Sequence, residues 1–121
     1  NKEKGIQLAK ELGAKVVNIQ DAGEEVIDIL INCSPVGMSP NLEETPISSR
    51  HLREGMIVFD SVYNPPETRL LREAKAAGCV TISGVELFVN QAIEQFKLWT
   101  KQKAPAGSMR DVIVRTIEGK T

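Results

Sequence analysis

Three apolar runs, each cut short by polar residues, glycine or proline, restrict what this chain can fold into. The most informative lies in residues 58–66, Val-Phe-Asp-Ser-Val-Tyr-Asn-Pro-Pro. Proline has no N–H for a sheet ladder and holds the residue before it extended, so a strand over 56–59 has to stop ahead of Pro65 and Pro66. Its carboxyl end then presents Asp60, Ser61 and Tyr63 to whatever lies beyond it. Residues 27–32 give way similarly to Cys33-Ser34-Pro35-Val36-Gly37-Met38, and residues 79–83 to Gly84. Open α/β sheets bind ligands outside the carboxyl ends of their strands. Three such ends point to a site.

The segments between these runs have helical or loop patterns. Ile6, Ala9 and Leu12 predict a helix over 2–12 with Gly13 as its stop. Residues 14–19 read as a strand through Val16, Val17 and Ile19, and 20–25 as a polar connection. Residues 26–31, apolar except for Asp28, have the pattern of a parallel strand covered on both faces. Residues 39–54 read as loop, with a short helical turn near 48–53. Thr68 is placed to cap a helix that buries Leu70, Leu71, Ala74 and Ala77 and ends at Gly78. Ser83 and Glu86 form an S-x-x-E capping box ahead of a long helix. Its stripe, Val85, Phe88, Val89, Ala92, Ile93, Phe96 and Trp99, predicts one continuous buried face before Pro105. A last helix is expected over 109–118, with Val112, Ile113, Thr116 and Ile117 inward and Gly119 as its stop. The expected fold is α/β, a partial Rossmann-type parallel sheet with flanking helices.

Composition narrows the partners. A chain of 121 residues is one domain or part of one. A net charge of −1 gives no basis for binding nucleic acid or an anionic membrane. No apolar run approaches the roughly 18 to 20 residues of a membrane span. Cys33 and Cys79 both fall at predicted strands and read as small buried residues, which argues against a disulfide scaffold and for a reducing, cytoplasmic location. His51 reads as solvated, and no metal site is expected. The Glu24–Glu25 and Glu43–Glu44 pairs read as solvated loop charges. With no initiator Met, no signal peptide and a first residue already inside a predicted helix, the chain is expected to be a piece of a longer protein.

The long helix has a second apolar face, where Gln91 lies between Leu87 and Leu98. Gln91 is either a surface glutamine or an amide placed to hydrogen-bond a ligand in the crevice. Tyr63 is either a packed tyrosine with a satisfied hydroxyl or a ligand contact. Gly84 is a strand-to-helix turn, with or without a cofactor against its backbone.

Three stretches resemble the shikimate dehydrogenases. Ile31-Asn32-Cys33-Ser34-Pro35-Val36-Gly37-Met38 is similar to their N-[TAC]-[TS]-P-V-G-M stretch. Residues 59–65 with Thr68, Leu70 and Leu71 resemble D-x-V-Y-x-P-x-x-T-x-L-L. Gly78, residues 84–92, Phe96, Trp99, Thr100, Ala104 and Pro105 resemble the C-terminal signature, although Glu86 stands where the family often has Gly. The resemblance implies reduction of 3-dehydroshikimate to shikimate with NADPH, in a cleft between an N-terminal substrate domain and a C-terminal Rossmann domain. It implies cofactor contacts at Ser61 and Gly84, largely through backbone, and at Asn32, Cys33 and Ser34 on the nicotinamide side. It implies substrate contacts at Tyr63 and Gln91. Asn1 and Lys4 resemble the end of the N-R-T-x-x-K stretch that holds the NADP 2′-phosphate.

On this reading residues 1–84 are the C-terminal portion of the NADP-binding domain. Residues 85–121 are helices packing on it and towards the substrate domain. The family's catalytic Lys and Asp lie in that substrate domain, and its glycine-rich pyrophosphate turn is also absent here, so no catalytic residue is assigned and the 121 residues alone are expected to be inactive. Two other readings compete: a quinate/shikimate dehydrogenase using NAD, and a non-catalytic relative that senses a metabolite and regulates transcription. A β-branched side chain at Gly84 is expected to weaken NADP binding and leave the fold mostly intact.

Overall fold

The computed structural model describes residues 2–18, 21, 26–117 and 119. Its centre is a parallel sheet of β1 (Ile29–Asn32), β2 (Ile57–Asp60) and β3 (Val80–Ile82), with β2 in the middle. Helix α1 (Lys2–Leu12) comes first. A 3-10 turn at Ser49–His51 lies between β1 and β2, α2 (Arg69–Ala76) connects β2 to β3, and α3 (Gly84–Thr100) and α4 (Ala106–Ile117) follow. The expected α/β parallel sheet with flanking helices is what is observed.

Register decides which residues meet. Leu30 is opposite Val58, and Asn32 opposite Asp60; Val58 in turn is opposite Thr81. Side chains alternate across a strand, so these five share one face. Helix α2 covers that face. Thr68 caps α2 by accepting a hydrogen bond from the Leu71 N–H at 3.3 Å, and Gly78 ends it at φ +78°. Leu70, Leu71 and Ala74 point down onto Val58 and Met56, joined by Ile47 and Leu52 from the long connection, and Ile27, Leu30, Ala77 and Cys79 pack around them. Burying such side chains contributes about 1.5–3 kcal/mol each, and this cluster is the main source of stability.

The opposite face carries Ile29, Ile31, Ile57, Phe59, Val80 and Ile82. Ile29 and Ile31 are 56% and 55% exposed, which corrects the expectation that this strand is covered on both faces. The first turns of α3 lean over this face and leave a groove of about 440 Å³ edged by Glu86, Leu87 and Asn90. An apolar run reports that a strand is able to be covered; which face is covered depends on what packs there.

Three further expectations change. Residues 14–18 form no strand, because their backbone makes no ladder pairing with β1; Ile19 lies outside the described residues. The stripe along α3 is buried only at its start, at Val85 and Val89, whereas Trp99 is 76% exposed. In α4 it is Met109, Ile113, Val114 and Ile117 that are partly covered, while Val112 and Thr116 are exposed. Helix α4 packs beside α3 and is tied to its first turn by an ion pair between Arg110 and Glu86. Glu86 therefore points across to α4, while Ser83 keeps its half of the capping box by accepting from the Glu86 N–H at 3.4 Å. No helix among the described residues is long and apolar enough to cross a membrane.

Candidate functional site

All three strands end at the same edge of the sheet, and their ends are held together from within. Asp60 ends β2 and is fully buried. One of its carboxylate oxygens accepts from Asn32 Nδ2 at 3.0 Å and from the Val62 N–H at 3.0 Å. The other accepts from Thr68 Oγ1 at 2.6 Å. Asp60 is thus turned inward rather than presented to the crevice, which corrects the reading of the strand end. The cause is register: the face that carries Val58 also carries Asp60, and that face lies under α2.

Asn32 is buried beside it. Its amide donates to Asp60 and, at 3.3 Å, to the Val36 carbonyl, and its oxygen accepts from the Ser34 N–H at 3.0 Å and the Ser34 hydroxyl at 2.6 Å. Both amide hydrogens and the carbonyl oxygen are occupied within the protein. Asn32 shapes the turn that follows β1, and that turn carries Cys33 and Ser34. Cys33 is exposed, not buried as its residue type suggests, and both cysteines are free thiols. Asn32, Cys33 and Ser34 border a cleft of about 440 Å³ whose other walls are Val17, Leu30, Ile31, Pro46 and Ile47. The cleft is apolar with a polar rim, which suits a flat ring with one hydrogen-bonding edge.

Ser61 donates its N–H to the Asn32 carbonyl at 2.9 Å, so β1 and β2 stay joined one residue past the strands. Gly84, the first residue of α3, lies against this segment. A β-carbon there would meet the Val62 carbonyl oxygen at 2.3 Å and the Ser61 carbonyl oxygen at 2.5 Å. The space beside Gly84 is filled by the protein's own backbone. The expectation that a larger side chain at Gly84 leaves the fold mostly intact is therefore overturned by a collision with two backbone carbonyls.

Tyr63 projects from the same segment and is 46% exposed. Its ring rests on that of Phe88, with centroids 5.3 Å apart and planes tilted by 32°. Gln91 follows Phe88 by three residues, so it stands on the neighbouring turn of α3, and it is exposed. The Tyr63 ring is thereby brought against α3, one turn ahead of Gln91. Lys4 stands exposed in the first turn of α1, and Asn1 lies outside the described residues.

Sequence reasoning missed Asp60 and Thr68 as the node of this edge, and Phe88 as the ring under Tyr63. The parallel register of two strands ending Asn-Cys and Asp-Ser was the available signal for the first. The apolar stripe predicts a buried Phe88, whereas it is 45% exposed and its ring lies beside Tyr63. Among the described residues no three of His, Cys, Asp and Glu gather into a metal-binding set.

An open parallel sheet with a crossover helix on one face, and a cluster of polar strand ends at one edge, is the architecture of dinucleotide-binding Rossmann domains. The comparisons agree. Residues 84–114 match the family described as "Shikimate 5'-dehydrogenase C-terminal domain". The chain is 42% identical over 125 aligned positions to the shikimate dehydrogenase (NADP(+)) of Methanosarcina acetivorans, covering 96% of this chain and 45% of that protein. A crystal structure of a shikimate dehydrogenase in complex with NADP+ superposes with a TM-score of 0.76 at 35% identity, over 93% of this chain and 41% of that one. A quinate dehydrogenase from Corynebacterium glutamicum in complex with NAD superposes with a TM-score of 0.72 at 30% identity, over 85% of this chain and 38% of that one. The chain belongs to the shikimate dehydrogenase family. It spans less than half the length of these relatives.

Proposed function

We propose that this chain supplies part of the cofactor site and the far wall of the substrate site of an enzyme that reduces 3-dehydroshikimate to shikimate with NADPH. The observation that carries the reading is the ring contact of Tyr63 with Phe88, which anchors the segment after β2 on α3, the helix that carries Gln91 three residues further on. The phenol and the side-chain amide are hydrogen-bonding groups, the chemistry that a cyclic polyol carboxylate asks for. The cleft beside Cys33 and Ser34 fits the nicotinamide end of the cofactor. Ser61 and the backbone at Gly84 would lie along it, and Lys4 with Asn1 would meet the 2′-phosphate. No two of the nine glycines stand in a G-x-G spacing, so the sequence holds no glycine-rich turn of the kind that binds a pyrophosphate. Bound NADPH supplies the hydride. The residues of this chain hold and orient the two ligands.

Residues 1–84 then form the C-terminal portion of the cofactor domain, and 85–121 pack on it and towards a substrate domain. The exposure of Leu87, Phe88, Leu98, Trp99 and Val112 supports that assignment, because large apolar side chains in one region mark a surface meant to be covered. The second reading, an NAD-dependent quinate/shikimate dehydrogenase, is favoured by the likeness to the quinate enzyme.

In the full-length protein, Tyr63→Phe is expected to raise the KM for shikimate and leave that for NADP nearly unchanged. A polyol hydroxyl left unpaired costs about 1–3 kcal/mol, read as a rise of roughly five-fold or more. Equal rises for both substrates would remove Tyr63 from the substrate site. Assaying the same protein with quinate and NAD separates the two readings. The 121 residues alone are expected to show no NADPH-dependent reduction of dehydroshikimate; turnover by that piece would overturn the division of roles set out above.

A further inference from the structure

The structure points to a residue outside every ligand-contact assignment. Asp60 is fully buried, so it touches no ligand, yet each segment that carries a proposed contact at the strand ends is attached to it. Through the Val62 N–H it closes a turn on the residue two positions ahead and so aims the chain towards Tyr63. Through Asn32 it grips the end of β1, and Asn32 in turn holds the Ser34 N–H and hydroxyl. Through Thr68 it fixes the start of α2, because the Thr68 hydroxyl donates to Asp60 and accepts from the Leu71 N–H. The Ser61 and Val62 carbonyls that follow Asp60 press on Gly84, so their position also sets where α3, and with it Phe88, begins.

We propose that Asp60 is a positioning residue: a buried carboxylate that sets the placement of Tyr63, and of the Cys33–Ser34 turn, relative to the ligands. This rests on the proposed role of Tyr63. All three partners of Asp60 are donors and all are buried or backbone groups, so an apolar replacement would leave several of them unpaired. Asp60→Asn keeps the shape and one acceptor oxygen but puts an NH2 where a donor or the Thr68 hydroxyl now points.

The test is a double-substitution cycle in the full-length protein, with melting temperatures measured alongside. Asp60→Asn is expected to raise the KM for dehydroshikimate about ten-fold, with the KM for NADPH changed by less than about two-fold. Adding Tyr63→Phe to Asp60→Asn is then expected to cost less than about two-fold more, because the hydroxyl is already misplaced. Additive effects, equal shifts in both KM values, or a lowered melting temperature with unchanged kinetics would make Asp60 merely structural. Should Asp60→Asn fail to fold, Thr68→Val removes one donor from Asp60 together with the cap of α2, and is read by the same cycle with the melting temperature reporting the lost cap. Should the wild-type protein not turn over dehydroshikimate, the proposed function fails on its own. The inference is then decided by 19F NMR of the full-length protein labelled with 3-fluorotyrosine, the Tyr63 resonance being the one that Tyr63→Phe removes. A resonance moved by Asp60→Asn, with the helix content retained, supports positioning. An unmoved resonance overturns it.

Discussion

Gly84→Ala is expected to destabilise the chain by about 3 kcal/mol or more, the upper end of what overpacking costs. The added carbon would lie 2.3 Å from the Val62 carbonyl oxygen and 2.5 Å from that of Ser61, well inside any real contact. Neither obstacle is a flexible side chain able to swing away. The Ser61 N–H is held by the Asn32 carbonyl and the Val62 N–H by Asp60, so the segment has little room to retreat. Helix α3 would have to shift instead, and its start is fixed by the Ser83 cap and by the burial of Val85 and Val89. Gly107→Ala is the internal control. Nothing lies within 4 Å of its missing β-carbon, and it is the second residue of α4, where alanine favours helix over glycine by up to the roughly 0.8–1 kcal/mol of a helix interior. Urea melts of the two variants should therefore move in opposite directions. Equal small shifts would mean that the contact between α3 and residues 61–62 is looser than described.

Leu70→Ala is expected to cost about 2–5 kcal/mol, the range for emptying a filled core position. Leu70 is 1% exposed and belongs to the cluster with Val58, Met56, Leu71 and Ala74, on the sheet face that α2 covers. With so little alternative core to share the loss, the effect should fall near the upper half of that range. Leu98→Ala, by contrast, should stay within about 0.5 kcal/mol in the 121-residue chain, because Leu98 is 68% exposed. A large loss at Leu98 would show that the far end of α3 is covered in solution.

The helices were the most legible part of the fold. Thr68 and Gly78 bound α2 within a residue of expectation, and Ser83 opens α3, because caps and stops act on the backbone next to them. The short turn inside the long connection was legible too, although Ile47 and Leu52 gave no periodic sign that they would enter the core. The segment 14–18 was not. Its β-branched residues suit a strand, but a strand exists only where a neighbour completes the ladder, and none does so here.

At the crevice, the order of residues by itself determined the three strand ends, the abrupt stop ahead of Pro65, and the run of motifs that marks the family. All of these depend on local chemistry: a missing N–H, a cap, a change of period. Only the tertiary structure decided that Asp60 faces inward and Tyr63 outward, although both were read from the same strand end. Only it placed Phe88 under Tyr63 instead of in a buried stripe, and gave Gly84 a packing role against two carbonyls. The reason is common to these cases. A side chain's facing is set by register with the neighbouring strand and by which sheet face a helix covers, and both belong to contacts between residues distant in the chain.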